Sequence, residues 1–300
     1  MRYAHFEGTG VALITPFNDD LTVDYDAYGD IIEHVIAQNI DYLVPLGSTG
    51  ETATLNEEEA RRVLDFVIKV NNGRKPILAG NFGANNTREV VRKIKDYSFK
   101  GIDGILSSSP AYVKPNQQGI YSHYMAMAEA SPVPIMLYNV PGRTRSNMEW
   151  DTVIRLATDS PKFIGIKEAS GDLIQATRII KNRPPEFIVT SGDDEVALPM
   201  IAAGGDGVIS VIANAYPGYF AEMTRHIRAG RLEEARKCNF EIYDLHKWLY
   251  IEGNPVGIKS AMKILGFCKN HVRLPLHKMS SANYDALKAC IHGIKTFQTV

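Results

Sequence analysis

The chain has 300 residues, 45% of them hydrophobic and 22% charged, with a formal net charge of −1. That is enough apolar sequence for a sizeable core, and the charge balance leaves no basic footprint for nucleic acid or an anionic membrane. Cys238, Cys268 and Cys290 lack CxxC spacing, no apolar run reaches a membrane span, and the stretch from Met1 to Gly8 lacks a signal-peptide core, so a soluble cytoplasmic protein is expected.

Along the chain, short apolar and β-branched runs recur roughly every 20–35 residues, the spacing of βα units. They fall at residues 10–15, 42–46, 76–80, 104–107, 135–138, 163–167, 187–191 and 207–211. Helix-period stretches lie between them. One spans residues 25–37, with Ile31, Ile32, Val35 and Ile36 on one side. Another opens at Asn56, with Glu59 three residues on, the pattern of a capping box. Eight such alternations in about 230 residues predict a (β/α)8 TIM barrel. A dinucleotide-binding sheet would place its glycine fingerprint after the first strand, whereas Gly8-Thr-Gly10 is read as preceding it. Beyond Gly230 the pattern turns to helix alone, over 231–252, 255–265 and 281–297, broken around Leu274-Pro275-Leu276. The expected organisation is a catalytic barrel over 1–230 and a C-terminal helical extension over 231–300, which packs the barrel or builds an oligomer contact.

In such barrels, chemistry sits at the C-terminal ends of the strands. The second strand runs into Gly47-Ser48-Thr49-Gly50-Glu51, a small turn whose N–H groups and hydroxyls suit an anion, although an ordinary strand–helix turn reads the same way. After the fourth, Pro110 and Pro115 flank Tyr112, either a held catalytic phenol or a packing aromatic. The fifth ends in Tyr138-Asn-Val-Pro-Gly-Arg143-Thr144: a phenol that shares strand parity with Met136, either a catalytic group or a core tyrosine with one hydrogen bond, then an arginine that either forks around a carboxylate or lies on the surface. The sixth carries Lys167 in an otherwise apolar segment. An ammonium there costs several kcal/mol unless it snorkels out from the strand end, pairs, for instance with Glu168, or sheds its proton and becomes an amine nucleophile. Together these groups suit imine formation with an α-keto acid: lysine as nucleophile, tyrosine as proton shuttle, the hydroxyl turn for the keto acid's carboxylate, and the arginine for an acidic second substrate. No metal or cofactor is needed, because the imine is itself the electron sink.

Gly47-Ser-Thr-Gly-Glu51, Tyr138-Asn-Val-Pro141 and Gly165-Ile-Lys167-Glu-Ala-Ser-Gly-Asp172, in this order, resemble the pyruvate-dependent class I aldolase superfamily of N-acetylneuraminate lyase and dihydrodipicolinate synthase. The resemblance runs from about Gly8 to Leu276, across nearly the whole chain. Within the superfamily, Arg143 resembles the arginine that in the synthases holds the carboxylate of L-aspartate-4-semialdehyde. The resemblance implies that Lys167 forms the imine with pyruvate, and that Thr49 links Tyr138 to Tyr112 in a proton relay. It also implies that Ser48 and Thr49 bind the pyruvate carboxylate while Gly192 and Ile209 line the pocket. In the family the second tyrosine comes from a neighbouring subunit, which implies a homo-oligomer, typically a tetramer built as a dimer of dimers. The implied role is an early step of lysine and diaminopimelate synthesis; a lyase of N-acetylneuraminate or a 2-keto-3-deoxy sugar acid is the alternative, and a catalytically silent binding protein a third. Three departures stand out. Ser48 replaces the usual threonine and keeps a hydroxyl. Arg145 replaces a common glycine, adding bulk and charge near the aldehyde site. In the feedback pocket that many synthases carry for lysine, Asn85 and Glu89 match, while Ala111 replaces a tyrosine and Glu57 a frequent histidine, which leaves inhibition by lysine open.

Overall fold

Eight parallel strands form the centre of the computed structural model, which describes residues 3–83, 85–295 and 297. They are β1 (Gly8–Ala12), β2 (Tyr42–Val44), β3 (Leu78–Ala79), β4 (Gly104–Ser108), β5 (Ile135–Asn139), β6 (Phe163–Glu168), β7 (Ile188–Ser191) and β8 (Gly207–Ser210). Pairing runs β2-β1-β8-β7-β6-β5-β4-β3, and a single parallel bridge between Leu43 and Ile77 joins the two ends into a barrel. The (β/α)8 expectation is met, with differences at the edges. β1 starts at Gly8, so Gly8-Thr-Gly10 lies inside the strand and not before it; glycine is depleted in strands, and its presence hid the true start.

Helices α1 (Tyr25–Ala37), α2 (Glu57–Asn71), α3 (Thr87–Asp96) and α4 (Gln117–Ala130) follow the first four strands. Asp24, Asn56, Asn86 and Asn116 cap them by accepting from first-turn N–H groups, and Asn56 and Glu59 form the predicted capping box. After β5 comes one turn, α5 (Pro141–Thr144), then α6 (Trp150–Asp159). The remaining barrel helices are α7 (Leu173–Asn182), α8 (Ala197–Ala202) and α9 (Pro217–Arg228). The stretch predicted as one helix over 231–252 is two, α10 (Leu232–Ile242) and α11 (Leu245–Tyr250), because the His246 N–H donates to Tyr243 O and tightens the chain between them. Then come α12 (Val256–Ile264) and α13 (Ser281–Gly293); the predicted last helix, 281–297, includes residue 296, which lies outside the described residues.

Two apolar cores result. One fills the barrel, with Phe6, Tyr42, Leu106, Met136, Ile188 and Ile209; the other lies between strands and helices, with Leu43, Ile105, Leu137 and Val189. β6 is irregular in a way that matters. Ile164 packs inside the barrel and Ile166 outside, although residues two apart on a regular strand share a face. The register against β5 shifts where Ile135 pairs with Phe163 and Met136 with Gly165, the signature of a bulge. The extra residue resets the alternation, so Lys167 faces inward and Glu168 outward. A Cβ on Gly165 would lie 2.5 Å from Ile188 O, so glycine is needed for the close approach to β7.

Candidate active site

Lys167 sits beside Tyr138 in register, its Nζ 4.5 Å from the centre of the phenol ring. It is 5% exposed, and among the described residues no carboxylate lies within ion-pairing distance of it. The structural alternative, a pair with Glu168, does not form. Glu168 points away from the barrel interior and accepts from Ser170 N at 2.7 Å and from Asn139 Nδ2 and Gln175 Nε2 at 3.0 Å each. Burial pushes its carboxyl above the ordinary value, and these donors pull it back. Asn139 Oδ1 also accepts from Met148 N, so this outer network fixes the two strand ends that present Tyr138 and Lys167. Gly192 lies against the lysine stem: a Cβ there would sit 2.8 Å from Lys167 Cγ and Cε.

Above Lys167 opens a cavity of about 530 Å³, walled by Ala12, Val44, Leu106 and Tyr138 from the strands and rimmed by Ser48, Thr49 and Arg143. The 47–51 turn is held between two left-handed residues, Leu46 (φ 60°) and Glu51 (φ 52°), a conformation that costs energy and here shapes a tight loop. It is held from outside as well. Glu51 and Lys259 form an ion pair with both side chains fully buried, and Lys259 Nζ also donates to His271 O at 2.9 Å. Glu51 Oε2 accepts from Arg273 N. Burial pushes the Lys259 ammonium below its ordinary value even against the pull of Glu51. Asn254, in the loop before α12, donates from Nδ2 to Thr49 Oγ1 at 2.9 Å, and its backbone oxygen accepts from Arg143 Nη2 at 3.1 Å. Lys93 reaches the same cavity and donates to Asn81 O.

The structure thus brings together Lys167, Tyr138, Ser48, Thr49 and Arg143 around one cavity. Gly192 supports the lysine from beside the cavity, and Ile209 is fully buried in the barrel interior. Tyr112 stands apart, 88% exposed, at φ 66°, with its N–H donating to Thr144 O. Arg145 is exposed and outside the cavity wall; it caps α5 at φ 58°, which is the physical reason a glycine suits that position. Asn85 Oδ1 accepts from Ala111 N at 2.7 Å, and Glu89 pairs with Arg92 at 2.8 Å. Sequence reasoning missed Asn254, Lys259 and Lys93. Asn254 falls between two predicted helices and reads as linker, and nothing local signals that Lys259 pairs across more than two hundred residues.

With this geometry established, three comparisons bear on the chain. A 4-hydroxy-tetrahydrodipicolinate synthase from Cytophaga hutchinsonii is 48% identical over 275 residues, 92% of either chain. A crystal structure of dihydrodipicolinate synthase from Aquifex aeolicus superposes with a TM-score of 0.92 at 38% identity, covering 96% of this chain and 97% of its own. The chloride-inhibited dihydrodipicolinate synthase from Acinetobacter baumannii, complexed with pyruvate, gives a TM-score of 0.92 at 38% identity, over 96% and 98% of the two chains. Fold and site together define the class of (β/α)8-barrel lyases. Within that class the chain belongs to the dihydrodipicolinate synthetase family, whose model matches residues 5–294.

Proposed function

We propose that the chain is a 4-hydroxy-tetrahydrodipicolinate synthase of lysine and diaminopimelate synthesis, condensing pyruvate with L-aspartate-4-semialdehyde in the cytoplasm. The observation that carries the mechanism is Lys167: buried, unpaired by any described carboxylate, and beside Tyr138 at the floor of a cavity whose rim holds Arg143. The free amine of Lys167 attacks C2 of pyruvate and forms a carbinolamine. The C2 hydroxyl takes a proton and leaves as water, giving the imine. Loss of a proton from C3 yields an enamine, whose C3 attacks the aldehyde carbon while the new alkoxide is protonated. The semialdehyde's own amino group then adds to C2 and displaces the lysine, closing the ring and freeing the amine. Tyr138 and Thr49 serve the proton transfers, Ser48 and Thr49 hold the pyruvate carboxylate, and Arg143 holds that of the semialdehyde. Tyr112 completes the relay of a neighbouring copy in a homotetramer, and its exposure supports that placement. A sugar-acid lyase fits less well: its neutral aldehyde has no use for the guanidinium at the rim, and the named relatives are synthases.

Two measurements test this. Borohydride reduction in the presence of pyruvate should place a pyruvyl adduct on Lys167, and an unmodified lysine overturns the imine. With semialdehyde and the downstream reductase, the reaction should consume reductant; a sugar-acid lyase would consume none.

A further inference from the structure

Thr49 differs from three other threonines near it. Thr15, Thr54 and Thr144 each donate the hydroxyl proton to a backbone carbonyl, of Gly50, Glu51 and Ser146 respectively. Thr49 is 2% exposed, yet among the described residues its hydroxyl donates to nothing. It accepts instead, from Asn254 Nδ2. A hydroxyl has one proton and two lone pairs, and an amide N–H has only protons to give. With one lone pair taken by Asn254, the proton of Thr49 points elsewhere, and the space beside it is the cavity that Tyr138 and Lys167 line. Among the described residues the other end of the amide, Asn254 Oδ1, is buried without a partner, so Asn254 is not spent on satisfying the surrounding loop.

We propose that Asn254 is a positioning residue for the reaction: its side-chain N–H fixes Thr49 as a donor into the cavity, while its backbone oxygen steadies Arg143. The C-terminal segment, expected from sequence to pack the barrel or an oligomer contact, thereby supplies part of the active site. A donor is required, not a side chain of similar size. Aspartate has nearly the same shape but when ionised can only accept, so it draws the Thr49 proton to itself and out of the relay. A protonated aspartic acid can donate again.

The inference rests on the imine reading above, and the experiment separates the two. The wild-type protein is first treated with pyruvate and borohydride; absence of an adduct on Lys167 overturns that reading itself. With the adduct present, N254A is expected to lower kcat by about 10- to 100-fold, the range of a weakened proton-transfer group, and to leave the semialdehyde KM nearly unchanged because the backbone contact to Arg143 survives. In a T49V background the same substitution should change kcat by less than about twofold, since its effect passes through Thr49. N254D should be poor at neutral pH and gain activity relative to wild type as pH falls and its carboxyl takes up a proton. Wild-type kcat in N254A and N254D overturns the inference. So does an N254A loss that persists in full in T49V, or an N254D loss that is independent of pH.

Discussion

At Gly192 a single methyl group would meet the stem of Lys167 at 2.8 Å and Ala169 Cβ at 2.6 Å. Real side chains do not pack so closely, and the lysine is the softer neighbour. Gly192→Ala should therefore cost at most about 1–3 kcal/mol in stability, the usual price of overpacking. It should slow pyruvyl-adduct formation on Lys167 by about a hundredfold, because a small misplacement of a reacting group is expensive. Denaturant melts beside timed borohydride trapping read the two effects; trapping at the wild-type rate would contradict the placement. Arg145 offers the opposite case. It holds φ 58° and lies outside the cavity wall, so Arg145→Gly should raise stability by about 1 kcal/mol in thermal denaturation and leave kcat unchanged.

Among the elements, the turn after β2 depends on α12. Lys259 and Glu51 are both fully buried, so removing one partner leaves a stranded charge. Lys259→Met should cost about 3–5 kcal/mol, and adding Glu51→Gln to it should recover much of that loss, measured by urea unfolding of the single and double variants. The contact between α3 and α4 carries a pH dependence. Burial pushes His123, whose Nδ1 shares a hydrogen bond with Thr87, down to about 4 from an ordinary 6.5. Between those values the unfolded chain binds the extra proton, so this contribution is complete above pH 6.5 and is lost as pH falls towards 4, up to about 3 kcal/mol. His123→Gln should flatten stability across that window. The sequence made much of this level legible: seven of the eight runs, the capping box at Asn56 and the strand-end motifs appear where periodicity and capping chemistry put them, and only β1 starts earlier than expected. It did not reveal why Lys167 faces inward. That depends on a bulge in β6, and a register shift between strands leaves no mark in the spacing of Ile164 and Ile166. Asn254 and Lys259 stayed hidden for a related reason, since their partners are set by tertiary packing alone.

For the whole molecule, Tyr112 is the feature least explained by one chain: a strained, 88% exposed aromatic beside the exposed Val113, left uncovered by the described residues of its own fold. If it serves a neighbouring copy, two crippled variants should cure each other. A Lys167→Ala subunit paired with a Tyr112→Ala subunit contains one site with both an intact lysine and an intact tyrosine. Unfolding and refolding an equal mixture should restore about a quarter of wild-type activity from nearly inactive parents. No recovery would place Tyr112 in its own subunit's chemistry or in none. The position of Asn254 and Lys259 along the chain carries a consequence for synthesis. Domains tend to fold from the N-terminus as the chain is made, and every strand of the barrel, Lys167 included, precedes the two residues that hold the Thr49 turn. A growing chain can therefore complete its barrel and still lack a working site. On the proposed reading, activity arrives only with α12, and a chain cut before that point would bear Lys167 without the residues that hold the Thr49 turn.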